Sequence, residues 1–182
     1  MKKIVRISWL LKWVTVGVCC ALPLAEAGYW ITNGYPFLEP WIHADPLPVF
    51  GTIPIVWSNL TEIQKFLAFL INLLPLSFSV ISFACFAQLF AAFEKLRLFE
   101  KRNVLILKRA GWALVWWQVV YPLHTALLSL ALTYRNPVGE RNLSVGLGTN
   151  QIEMLAVGLS ILLASWVFEE AVKIGEEQEG TI

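Results

Sequence analysis

The stretch FLAFLINLLPLSFSVISFACFAQLFAAF, Phe66 to Phe93, decides the fold, because no Asp, Glu, Lys or Arg interrupts it. About 20 apolar residues, rising 1.5 Å each in a helix, cross the hydrocarbon of a bilayer. This stretch is long enough to span with tilt or to continue into the interface. Three more blocks have the same character. One lies between Lys12 and Glu26 and extends to residues 8–27 if Lys12 snorkels. Another runs uncharged from Ala110 to Tyr134. The last covers 152–172 around an uncharged centre, Met154 to Phe168. The expected fold class is therefore an all-α integral membrane protein, a single transmembrane domain over 1–182. Its spans are 8–27, 66–93, 104–134 and 152–172, with outer loops 28–65 and 135–151, a loop 94–103 and an acidic tail 173–182.

Composition agrees with the blocks. Of 182 residues, 57% are hydrophobic and 15% charged, against about 45–50% and about 25% in an ordinary soluble domain. A net charge of +1 gives no basis for direct nucleic-acid binding. Cys19 and Cys20 are adjacent in one apolar block and Cys85 is alone in another, so there is no CxxC pair. With His43 and His124 the only histidines, no zinc-ligand spacing exists either. The expectation is no cofactor.

Residues 1–27 admit two readings. Met1-Lys2-Lys3 and a short apolar stretch with Pro23, ending in Ala25-Glu26-Ala27, resemble a secretory signal with an A-x-A cleavage site. Trp9, Leu10 and Leu11 before Lys12 lengthen the apolar segment beyond a usual signal core and favour a retained span.

Basic residues orient the spans. Lys2, Lys3, Arg6 and Lys12, the six in Lys95 to Arg109, and Lys173 fall on one side; Lys65, Arg135 and Arg141 fall on the other. The expected orientation is four spans with both termini cytoplasmic.

The outer loop 28–65 interleaves Pro36, Pro40, Pro46, Pro48 and Pro54 with Tyr29, Trp30, Tyr35, Trp41 and Trp57. The prolines forbid a continuous helix, and the aromatics suit the headgroup layer. Leu47 to Val56 and Arg141 to Thr149 have strand-like composition. Asn59-Leu60-Thr61 and Asn142-Leu143-Ser144 match glycosylation tripeptides.

Polar residues at membrane depth carry a functional presumption. They are Asn72, Gln88, Gln118 and His124, with Glu26 near the outer surface. Gln118 and His124 are six apart, about 600° around a helix, which places them on different faces. Interhelical hydrogen bonding is the plainer role; a proton or substrate path through Glu26 and His124 is the sharper one. Pro75 and Pro122 sit inside spans, where kinks are tolerated.

The cytoplasmic side holds the strongest contrast. Glu94 to Arg109 has six basic and two acidic residues, whereas Glu169 to Ile182 has one basic and five acidic. These segments should attract, and the tail is expected to dock on the basic loop and yield to a partner or to anionic lipid. The plainer reading is positive-inside topology alone. Candidate interaction residues are Arg97, Lys101, Arg102, Asn103, Glu176, Glu177 and Glu179. Asn103 before Val104-Leu105-Ile106-Leu107 predicts an N-cap, Phe99 an interfacial anchor, and Gly111 a close helix contact.

Two of these stretches resemble the DUF2975 family of small bacterial inner-membrane proteins with four predicted spans and no established activity. Phe99, Asn103 and Gly111 in FEKRNVLILKRAG are similar to its entry into the third helix. VFEEAVKIGEEQEGTI is similar to its acidic end, closing in Thr181 and Ile182. NPVGERNLSVGLG is similar to an outer loop of some members. Glu100 and Gly180 depart from the pattern, where a hydroxyl and an apolar residue are usual. The resemblance covers roughly residues 60 to 182 and implies a cytoplasmic partner such as a small helix-turn-helix regulator.

No nucleophile with its base, phosphate-cradling loop or carboxylate pair can be assembled, so the expectation is a non-enzymatic interaction or regulatory protein. The alternative is a small oligomeric transporter with Glu26 and His124 as couplers. A lipid-acting enzyme would have only His43 and Asp45 to work with.

Overall fold

The computed structural model describes residues 2–33, 60–146 and 149–179. These contain four helices and no strand: α1 (Lys2–Ile31), α2 (Glu62–Glu94), α3 (Lys101–Thr133) and α4 (Thr149–Glu179). All four are long and apolar enough to cross a membrane. At 30 to 33 residues each, they reach about 45–50 Å, beyond the roughly 30 Å of hydrocarbon. Helical hydrogen bonding thus continues past the apolar blocks into the charged flanks. In particular, residues 173–179, expected as a tail, form the last turns of α4, as their Lys, Glu and Gln content favours.

The chain divides into two compact units. The first comprises Met1–Cys20, Phe78–Gln118 and Thr149–Ile182, and its core is Cys85, Leu89, Ile106 and Ala110, flanked by Phe86, Phe93 and Leu107. Here α3 and α4 approach closely. A Cβ on Gly111 would lie 2.9 Å from the Leu162 side chain, and one on Gly158 would lie 3.2 Å from Leu114 Cβ. Each helix therefore offers a glycine to a larger residue of the other, the packing that lets helices associate in lipid.

The second unit comprises Ala21–Ser77 and Val119–Gly148, with Tyr29, Trp30, Ala68, Leu128 and Leu132 as its core. A capping box opens α2. The Thr61 N–H donates to Gln64 Oε1 at 3.1 Å, while the Gln64 N–H donates to Thr61 Oγ1 at 3.4 Å. Gln64 Nε2 also donates to the Leu132 carbonyl, at 2.9 Å, near the end of α3. One buried side chain thereby completes a helix start and satisfies a helix end.

The strand expected at Leu47 to Val56 lies outside the described residues. Residues 141–146 of the other expected strand are not a strand, because side chains of α3 take their backbone groups. Thr133 Oγ1 accepts from the Asn142 N–H and donates to the Asn142 carbonyl, and Ser129 Oγ accepts from the Ser144 N–H. Two hydroxyls one helical turn apart stand in for a neighbouring strand.

Burial is inverted relative to a soluble protein. Ser8, Gln64, Asn72, His124, Ser129 and Ser165 are buried, while Leu10, Leu24, Phe66, Val119, Leu123 and Leu163 are exposed. Lipid as the surrounding solvent explains both sets, since polar groups must then find partners inside.

Candidate functional site

Charged residues of the first unit are arranged by the 95–100 connection. Its start is a Schellman-type ending of α2: the Leu96 N–H donates to the Phe93 carbonyl and the Arg97 N–H to the Ala92 carbonyl. Leu96 occupies the left-handed position at φ 60°, where glycine is usual. Its far end is fixed by Asn103. The expected N-cap role is corrected here, because α3 begins at Lys101 and Glu100 takes the capping position, its carbonyl accepting from the Asn103 N–H. Asn103 lies in the first turn and is buried, with Nδ2 donating to the Arg97 and Leu98 carbonyls at 2.6 and 3.1 Å. It holds the loop against the helix rather than presenting a surface to a partner. Phe99 stacks on Phe168 of α4 with ring centroids 5.7 Å apart.

Two ion pairs join α3 to α4. Lys101 Nζ lies 2.7 Å from Glu176 Oε2, and Lys108 Nζ lies 2.7 Å from Glu169 Oε2. Both helices space their partners by seven residues, about 10.5 Å, in opposite chain directions, so one antiparallel seam carries both. Arg97 is exposed, its Nε 3.8 Å from Glu100 Oε1, and Arg102 is exposed without an ion pair among the described residues. Glu177 is exposed, and the side chain of Glu179 lies outside the described set. Sequence reasoning missed the partner of Lys12. Its Nζ is 2.6 Å from Glu94 Oε2, so it is neutralised by the end of α2 rather than snorkelling alone.

The second unit joins Glu26, expected near the outer surface, to Asn72 and His124, expected at membrane depth. Glu26 Oε1 accepts from Asn72 Nδ2 at 2.9 Å and from Trp30 Nε1 at 2.7 Å. The Asn72 Oδ1 is 2.8 Å from His124 Nε2. Since the Asn72 nitrogen faces Glu26, its oxygen faces His124, and Nε2 is the donor to it. His124 is 3% exposed and Asn72 6%. Gln118 belongs to the first unit, buried, with its Nε2 unpartnered among the described residues. Gln88 is exposed. His43 and Asp45 lie outside the described residues. No three His, Cys, Asp or Glu side chains converge as a metal site among the described residues.

Four long apolar helices with polar residues turned inward define a multi-pass membrane protein. The chain belongs to DUF2975, a family described as a protein of unknown function, whose profile matches residues 24–182. No curated protein and no solved structure matches it.

Proposed function

We propose that this is a non-enzymatic interaction or regulatory protein of a bacterial inner membrane, with both termini cytoplasmic. Its partner-binding face is the α3 start and the α4 end. The paired spacing of Lys101–Glu176 and Lys108–Glu169 carries this reading. Lys101–Glu176 is exposed and Lys108–Glu169 half-buried, and an exposed pair is worth about 0–1 kcal/mol and is screened by salt. A protein surface of matching charge therefore exchanges for the Lys101–Glu176 pair at little cost, and Arg97 and Arg102 stand exposed beside it. The excess of Lys and Arg in residues 2–12 and 95–109 supports the orientation. The family resemblance supports a small helix-turn-helix regulator as the class of partner. In-cell photo-crosslinking from Arg97 and Glu177, read by mass spectrometry, tests it. A reproducible heterologous adduct is the expected outcome; self-adducts or intramolecular α3–α4 links alone overturn it.

The Glu26–Asn72–His124 chain favours a second reading, a small oligomeric transporter. Proteoliposome flux of candidate substrates that is unchanged by Glu26→Gln together with His124→Gln would remove it.

A further inference from the structure

We propose that the groove between the start of α1 and the end of α2 binds one anionic phospholipid, its phosphodiester on Arg6 and one acyl chain along the groove. Val5, Arg6, Trp9 and Leu10 of α1 and Glu94 of α2 line this groove, whose volume is about 380 Å³. Ligand pockets run to about 300–1,000 Å³. The four α1 residues are related by steps of three and four, so they form one patch on one face of that helix. Ser8, Lys12 and Thr15 make up another face, and it is turned inward: Ser8 and Thr15 are buried, and Lys12 reaches Glu94 at 2.6 Å. The groove face stays open, with Arg6, Trp9 and Leu10 exposed on it.

Charge selects the occupant. The acid in the lining, Glu94, is already paired with Lys12 and so does not repel an anion. Arg6 has no ion pair and no side-chain hydrogen bond among the described residues. Lys2, one helical turn before Arg6, and Lys95, next to Glu94 in the chain, are exposed and likewise without an ion pair among the described residues. A phosphodiester balances this positive charge, and a guanidinium takes phosphate oxygens through parallel N–H donors. Val5, Trp9 and Leu10 give an acyl chain an apolar wall, and an indole suits the headgroup layer. Free phosphate would leave that wall bare, and a zwitterionic lipid would bring a second cation toward Arg6. None of these residues belongs to the α3–α4 seam, so the site does not rest on the interaction reading.

Native mass spectrometry of the full-length protein in detergent, titrated with phosphatidylglycerol or with phosphatidylcholine, tests the site. The expected result is a first phosphatidylglycerol that binds about fivefold more tightly than the first phosphatidylcholine, the worth of one basic side chain at a membrane surface. Glycerol phosphate should not displace it. Arg6→Gln should remove the preference, while Arg135→Gln, which takes the same charge from the second unit, should keep it. Equal affinity for the two lipids in the wild-type protein overturns the proposal, whether or not either variant folds. So does a preference that Arg6→Gln keeps or that Arg135→Gln also loses. Displacement by glycerol phosphate would make this a site for free phosphate, and a dimer formed in place of the lipid would give the groove to a second copy; either overturns the lipid assignment.

Discussion

Lys101 and Glu176 stand 2.7 Å apart, and seven residues along each helix, in opposite directions, Lys108 and Glu169 repeat that distance. A single antiparallel seam thus carries a basic helix start and an acidic helix end that their sequence separation hides.

Charge reversal tests the seam directly. Lys101→Glu alone places like charges together and should speed hydrogen exchange in the last two turns of α4, as should high salt. Lys101→Glu with Glu176→Lys should restore protection to within about 0.5 kcal/mol. Exchange that ignores all three changes would show that the pair does not hold the end of α4.

Glycine positions should divide by the space around them. Gly111→Val puts a Cβ 2.9 Å from the Leu162 side chain and 3.2 Å from its backbone nitrogen, so a loss of about 1–3 kcal/mol is expected from overpacking. Gly17→Ala meets nothing within 4 Å in the middle of α1 and should gain about 0.5–1 kcal/mol. Thermal unfolding in nanodiscs would rank the two.

Asn72 and Gln118 look equivalent in sequence but not in the fold. Asn72→Leu removes bonds to both Glu26 and His124 and should cost about 1–2 kcal/mol, near the upper end for hydrogen bonds between membrane helices. Gln118→Leu replaces a buried amide whose Nε2 has no partner among the described residues, and should be neutral or stabilising. Equal losses in the two variants would contradict the hydrogen-bond assignment.

The first helix should be retained. Lys12 pairs with Glu94, Cys19 donates to the Val80 carbonyl, and Glu26 accepts from Asn72. Cleavage after Ala27 would strip all three partners from α2. Intact-mass measurement of the membrane-extracted protein is expected to find residues 1–27 present; a species starting at Gly28 would restore the signal-peptide reading.

Parts of the candidate sites were legible along the chain, and parts were not. The capping box Thr61-x-x-Gln64 is a local pattern open to inspection, although the second bond of Gln64, to Leu132, is not. Asn103 was marked as special by its type and place, but its role changed. Whether such an amide caps a helix or clamps a loop depends on where the preceding connection folds back. Charge contrast pointed to the α3 and α4 segments, while the pairing of Lys101 with Glu176 needed their helices side by side.

The sequence by itself determined the solvent and the elements. Four apolar blocks of spanning length with few charges favour helices whose backbone is hydrogen-bonded internally, and that constraint is local and compositional. Only the tertiary structure decided which polar groups meet. Glu26 and Asn72 are 46 residues apart, Asn72 and His124 are 52 apart, and Lys12 and Glu94 are 82 apart. Their meeting depends on helix rotation and pairing, set by contacts such as Gly111 on Leu162 within the first unit and Ala68 with Leu128 within the second. Periodicity along a uniformly apolar helix does not encode that rotation, because nearly every face of it is acceptable to lipid.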